Sequence, residues 1–222
     1  MRRLKTTCDA VGRDFSSVEL LAVSKFQPIE KITALNRLGQ KTFAENYQQE
    51  LTHKAQTLKA LGLRWVFIGR LQSNKIAKIV AASDEIQSLS NPKHAGLIAK
   101  YAQELGKTPF PVYIGVNAGE ESSKGGVSLF GQDREHLQKT ILSLPQLKLM
   151  GIMAIPPSTL FANVAPFEPP PLYQHLANLA RQCGAGRLSL GMSDDLEAAI
   201  GAGSDCIRIG TAIFGARPNP HG

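Results

Sequence analysis

Cysteine is scarce in this chain of 222 residues: Cys8, Cys183 and Cys206 are scattered and odd in number. They supply neither a disulfide framework nor a metal-ligand spacing. The five histidines, His53, His94, His136, His175 and His221, fall singly on helical or terminal segments. A lone imidazole on a helix is usually a solvated surface residue, so no metal site is expected. Long apolar runs are missing as well, since no stretch approaches the ~18 residues that cross a bilayer. Met1-Arg2-Arg3-Leu4-Lys5 has the charge of a signal n-region, but no apolar h-region follows it. A soluble cytoplasmic protein is therefore expected, with no membrane partner. The 25 basic and 18 acidic side chains leave a net charge of +7, yet no run of five or more Lys or Arg occurs. One Trp, four Tyr and nine Phe do not interleave with those cations, so nucleic acid is not the expected partner. A site built for an anionic ligand accounts for the charge instead. An early Gly-x-Gly-x-x-Gly turn is also absent, which argues against an open, doubly wound dinucleotide-binding sheet.

What is present is regular. A hydrophobic fraction of 43% is enough for a full core. Strand-like runs occur at Leu20 to Ser24, Thr42 to Ala44, Trp65 to Ile68 and Glu85 to Leu89. Four more lie at Pro111 to Val116, Leu147 to Ile155, Arg187 to Leu190 and Asp205 to Ile209. Helical periodicity separates them, as in Asn46 to Ala55, Asn91 to Leu105 and Leu172 to Gln182. Eight strands alternating with helices imply parallel pairing through right-handed crossovers. The natural closure is a single α/β domain, a (β/α)8 TIM barrel. The expected layout of residues 1–222 is an extra N-terminal helix within 1–13 (Arg2 to Gly12), then a barrel over 18–216. The Pro-rich stretch Pro156 to Pro171, with Phe161 and Phe167, is placed as a loop on the active-site face.

The first strand ends in a cation, at Val23-Ser24-Lys25. Burying an unpartnered ammonium is costly, so Lys25 is placed to bind an anion or, when neutral, to attack a carbonyl. Barrel strands deliver their C-terminal residues to one face. There Lys25 is joined by Glu45-Asn46, Gly69-Arg70-Leu71-Gln72, Asn117, Ser193 and Arg208 to Thr211. Gly191-Met192-Ser193 and Arg208-Ile209-Gly210-Thr211 are polar, glycine-bearing turns after the last two strands, where barrels often hold phosphate. Ser193 reads equally well as a plain helix N-cap. Asp194 and Asp195 would repel a phosphate unless they turn away. Residue chemistry alone thus reaches a binder of a phosphorylated aldehyde.

Longer motifs carry a resemblance. Leu21-Ala22-Val23-Ser24-Lys25, Ala44-Glu45-Asn46-Tyr47 and the run Phe67 to Lys75 are similar to those of the pyridoxal phosphate homeostasis proteins. So are Ser189 to Ile200 and Arg208 to Gly215, and the likeness runs from about Val11 to Pro218. The resemblance implies a barrel like the N-terminal domain of alanine racemase, with pyridoxal 5′-phosphate held as a Schiff base. By the same likeness Lys25 is the Schiff-base lysine, and Ser193, Gly210 and Thr211 hold the phosphate. Arg208 lies against the pyridine nitrogen and Asn46 near the ring. Two departures stand out: Arg70 replaces a His found in many relatives, and the N-terminal helix is shorter. Lys124, in Glu121-Ser122-Ser123-Lys124-Gly125-Gly126, resembles a loop lysine near the pocket mouth; a solvated lysine is the plainer reading, as it is for Lys75 and Lys78.

The resemblance implies a non-catalytic carrier that buffers or delivers the coenzyme, with pyridoxal-phosphate-dependent apo-enzymes as possible recipients and a monomeric state. Of the four tyrosines, Tyr47, Tyr101 and Tyr173 sit on helical patterns and read as packing residues; Tyr113 is the fourth. The alternatives are a racemase or aldolase with a further base, and an interaction protein with a vestigial site. The β-rich domain that supplies the opposing tyrosine in alanine racemase has no counterpart in the eleven residues after Thr211.

Overall fold

A computed structural model of the chain describes residues 1–119, 125–157 and 167–215. Helix α1 (Arg2–Ala10) comes first, and then strands and helices alternate. The strands are β1 (Glu19–Val23), β2 (Thr42–Glu45), β3 (Arg64–Phe67), β4 (Glu85–Leu89) and β5 (Phe110–Asn117). They continue with β6 (Val127–Ser128), β7 (Leu147–Ala154), β8 (Arg187–Ser189) and β9 (Cys206–Ile209). The helices after α1 are α2 (Ile29–Arg37), α3 (Gln48–Thr57), α4 (Ile76–Ala82) and α5 (Pro92–Glu104). Then come α6 (Gln132–Leu142), α7 (Pro171–Arg181), α8 (Leu196–Gly201) and the single turn α9 (Thr211–Phe214).

All pairings are parallel, in the order β4-β3-β2-β1-β9-β8-β7-β5, and β4 pairs with β5 to close the ring. The eight expected strands therefore form the expected (β/α)8 barrel. The ninth, β6, is a two-residue addition to the end of β5, in register Val116↔Val127. It is too short to carry a periodic signal in the sequence.

Closure puts the two faces of each strand in different surroundings. Phe43, Trp65, Ile86 and Leu188 pack outward with the helices, in a core that includes Ile32, Leu51, Ile79 and Leu176. Leu21, Ala44, Val66 and Cys206 form a separate cluster. Helix α1 packs through Leu4 and Cys8 against Leu196, Ile200, Ile207 and Ile209. The N-terminal mouth is closed by charge. Arg64 donates to Glu19 at 2.5 Å and to Glu85 at 2.7 Å, and Arg187 lies 3.5 Å from Glu19. These four are the first residues of β3, β1, β4 and β8. The C-terminal mouth is left for chemistry.

Candidate functional site

Lys25 lies two residues beyond the end of β1, and four neighbours fix the backbone around it. The Ser24 N–H donates to the Ala44 carbonyl at 3.0 Å. The Ser24 hydroxyl donates to Glu45 at 2.7 Å, and its carbonyl accepts from Lys54 Nζ at 2.8 Å. On the other side the Phe26 N–H donates to Glu50 at 2.8 Å. Lys54 binds both carboxylates, Glu45 at 2.8 Å and Glu50 at 2.7 Å. Glu45 and Lys54 are only 0% and 5% exposed, and burial pushes the Glu45 carboxyl above its ordinary range against the pull of Lys54. Phe26 has φ of +60°, a left-handed conformation that a bulky residue adopts only when its surroundings impose it. Lys25 thus projects from a backbone clamped before and after it.

Lys25, Asn46, Ser193, Arg208, Gly210 and Thr211 line one cavity of about 310 Å³ at the C-terminal mouth. All six residues picked from the sequence are therefore brought together. Val23, Ile68, Met153 and Ile155 supply apolar wall. The Asn46 Oδ1 atom is buried and has no hydrogen-bond partner among the described residues. Lys25 is half-buried.

Arg208 is 4% exposed. One guanidinium nitrogen donates to the Ser189 hydroxyl at 2.8 Å and the other to the Ala154 carbonyl at 2.7 Å. Burial draws its pKa below the usual arginine range, and among the described residues no carboxylate forms an ion pair with it. The two neutral acceptors aim the cation while leaving its charge for the cavity.

The turn at Gly191 to Ser193 shows how one of the two aspartates, Asp195, is kept from an anion. Asp195 is buried and faces away: it accepts from the Met192 N–H at 2.6 Å and from the Tyr173 hydroxyl at 2.5 Å. Helix α8 consequently starts at Leu196 rather than at Asp194. Asp194 is exposed and remains at the cavity wall. Gly191 has φ of +102°, and a Cβ there would sit 2.5 Å from that of Ala199. Arg3 of α1 binds this turn from outside, donating to the Ser193 carbonyl at 2.7 Å and to both Glu197 oxygens at 2.6 Å. The Ser193 hydroxyl accepts from the Ala212 N–H at 3.4 Å, so the two phosphate-type turns touch. Thr211 opens α9, where its N–H has no acceptor within the helix.

Together these features fit a ligand with an aldehyde and a phosphate. Lys25 on its clamped backbone, the anchored Arg208, Asn46 with its unpartnered Oδ1 and the two touching turns all line one cavity. Sequence reasoning missed Lys54, which a helical pattern assigns to solvent, and the role of Asp195. The only signal for Lys54 was the spacing Glu50 to Lys54, one helical turn. Arg70 lines an adjoining cavity instead. His94, expected on a solvated face, is partly buried against that second cavity. Asn117 ends β5, and Lys75 and Lys78 line neither cavity. Lys124, Phe161 and most of the proline-rich stretch lie outside the described residues. Among the described residues no cluster of three or more metal-ligating side chains occurs, and no helix is long and apolar enough to cross a membrane.

Residues 2–218 match the family model of the alanine racemase N-terminal domain. A protein of Haemophilus influenzae named pyridoxal phosphate homeostasis protein is 39% identical over 97% of this chain and 92% of its own length. One of the same name from Pseudomonas aeruginosa is 40% identical over 97% and 91%. Among solved structures, PipY of Synechococcus elongatus PCC7942 with PLP bound superposes with a TM-score of 0.77 at 28% identity, over 96% of this chain and 99% of that one. An alanine racemase from Clostridium difficile 630 shares the fold, with a TM-score of 0.66 at 13% identity, and this chain spans 57% of its length.

Proposed function

Since the chain belongs to the alanine racemase N-terminal domain family, and within it to the pyridoxal phosphate homeostasis proteins, we propose that it binds pyridoxal 5′-phosphate through Lys25 and holds it in reserve without catalysing amino-acid chemistry. When bound, the coenzyme supplies an aldehyde that condenses with a neutral amine and a phosphate that seeks N–H donors. Lys25 supplies the amine. Ser193, Gly210 and Thr211 receive the phosphate. Asn46 and Arg208 flank the ring.

The observation that carries this reading is the convergence of those six side chains and turns on one cavity, with the backbone of Lys25 fixed on both sides. The non-catalytic part rests on two further features. The ring-facing group at β9 is a buried arginine, which cannot accept a proton and so does not favour a protonated pyridine nitrogen, the form that stabilises carbanions best. No tyrosine is found among the described residues lining the cavity. Tyr173 is committed to Asp195, and Tyr47 packs at a 45° tilt against Phe26 with ring centroids 5.1 Å apart. The protein thereby acts as a monomeric cytoplasmic buffer of the coenzyme that supplies dependent apo-enzymes.

The test is borohydride reduction of the coenzyme-loaded protein followed by peptide mapping. The label is expected on the peptide containing Lys25, and Lys25→Ala is expected to lose the visible absorbance. Label on Lys124 alone would move the site. Incubation with amino acids in deuterium oxide is expected to leave their α-protons in place, and exchange of any of them would establish an enzyme.

A further inference from the structure

A second cavity of about 480 Å³ opens beside the first at the ends of β3, β4 and β5. The two share Asn46, Ile68, Met153 and Ile155 as a common wall, so a ligand in one lies against a ligand in the other. Both volumes suit small molecules. We propose that this second cavity binds an α-amino acid, with its carboxylate on Arg70 and its amino group toward Asn46.

The polar lining points to that class of ligand. Arg70 lies on this cavity and makes no ion pair among the described residues. Its position is set by the backbone beside it. Gly69 lies so close to Asn46 that a Cβ would fall 1.8 Å from the Asn46 carbonyl oxygen. The Gly69 carbonyl also accepts from the Ser88 hydroxyl at 2.6 Å. A guanidinium presents a planar fork that matches a carboxylate bidentately.

Two buried atoms lack partners here. His94 Nδ1 has none among the described residues, while its other nitrogen meets the Ser73 hydroxyl at 3.2 Å. Asn46 Oδ1, on the shared wall, is the other. Buried polar atoms without partners are uncommon and call for an explanation such as a ligand. Burial and the neighbouring Lys93 hold the His94 ring below its ordinary pKa, so it offers a neutral nitrogen rather than a second cation. The start of α5, capped by Asn91 through the Lys93 N–H at 2.8 Å, adds positive potential at the same wall. No acidic side chain is among the described lining residues. A zwitterion satisfies this arrangement, since its carboxylate takes the unpaired cation and its ammonium takes the orphaned amide oxygen. An inorganic phosphate brings no ammonium to Asn46 Oδ1. The purpose of such a site rests on the proposed role of Lys25, because it would place a free amine beside the stored aldehyde.

The test uses the purified coenzyme-free protein and L-methionine, followed by saturation-transfer difference NMR on the S-methyl signal. Saturable binding is expected in the millimolar range. Arg70→Ala is expected to weaken it roughly tenfold or more, as loss of a charge-assisted contact does, and Arg70→Lys to recover part of the loss. L-methioninamide, which lacks the carboxylate, should bind the unaltered protein as weakly as methionine binds Arg70→Ala. Inorganic phosphate should not compete. Absence of saturable binding, equal binding to Arg70→Ala, or displacement by phosphate would overturn the proposal. Borohydride labelling of Lys25 in Arg70→Ala serves as the separate readout. Arg70-dependent methionine binding without any Lys25 label would sink the coenzyme reading and spare this one. The reverse pattern would do the opposite.

Discussion

At the level of single residues, the strongest constraint is the buried pair Glu45–Lys54. Its two charges are almost wholly removed from water, and each also bonds the Ser24 that precedes Lys25. Removing one partner strands the other, which costs about 3–5 kcal/mol in buried pairs. Lys54→Met is therefore expected to lower the unfolding free energy, measured by urea denaturation, by that amount, and the double variant Glu45→Gln/Lys54→Met by less than the sum. Additive losses would mean that the pair is not coupled. The cysteines give a prediction with a pH sign. Burial raises the Cys183 thiol to about 11 and the Cys206 thiol to about 12. Each binds its proton more tightly folded than unfolded, so this stabilisation is complete below the ordinary thiol range and is lost as pH climbs through those values. Native protein at about pH 8 should leave a thiol reagent unreacted, and urea-unfolded protein should react at all three cysteines. Cys183→Ala should lose less stability than the parent chain between about pH 8 and 10.

At the level of elements, α1 matters through Arg3. It clips the Ser193 carbonyl and Glu197 together, and so joins the first helix to the turn proposed to hold phosphate. Arg3→Ala removes exposed contacts and should change global stability little. Its expected effect is local: several-fold weaker coenzyme binding in a fluorescence titration, and faster amide exchange over residues 191–196. Unchanged exchange there would detach α1 from the site. The same comparison shows what sequence can reveal. Strands β1 to β5 and β7 to β9 were legible because a barrel strand is buried on both faces and reads as an apolar run. Helix starts were less so. The pattern extends a helix back to Asn46, but Tyr47 is extended at φ −119° and ψ 128°, and α3 begins at Gln48. That delay delivers Asn46 to the cavity. Likewise Asp195 binds Met192 instead of continuing α8 toward its start, because Tyr173, 22 residues away, completes its hydrogen bonds. The burial of Lys54 depends on Glu45, on a different element, and no local period encodes it. Lys25 and Arg208 were legible as candidates for the opposite reason, since a polar residue at or near the end of an apolar strand breaks its pattern, and Ser193 because it sits in a glycine-bearing turn after β8.

Across the whole molecule, the two mouths of the barrel are linked by a continuous polar chain. Arg208 donates to the Ser189 hydroxyl at 2.8 Å, and that hydroxyl donates to Gln87 Oε1 at 2.7 Å. Gln87 Nε2 donates to Glu85 at 2.8 Å, and Arg64 then joins Glu85 to Glu19. Gln87 is fully buried in the middle, where it takes one bond and gives two, the second a long one to Cys206 Sγ at 3.7 Å. Burial also pushes the Glu85 carboxyl upward despite Arg64, so the Gln87 amide is one of the few groups stabilising its charge. Gln87→Leu keeps the approximate volume and removes all three bonds, of which those to Glu85 and Ser189 are short. Two buried groups then lose a partner at about 1–3 kcal/mol each, and Ser189 is freed to turn away from Arg208. The unfolding free energy read from urea denaturation should fall by a total of roughly 2–6 kcal/mol on that basis. The ring of strands closes through β4 and β5, so the transition should stay cooperative, with Trp65 fluorescence and far-ultraviolet circular dichroism moving together. Coenzyme affinity should fall as well, because the cation proposed to face the ring has lost one of its two anchors, and Lys25 is expected to remain the labelled residue. A Gln87→Leu protein with full stability and unchanged affinity would show that the interior chain is not what aims Arg208. The Ala154 carbonyl would then be its sole effective anchor.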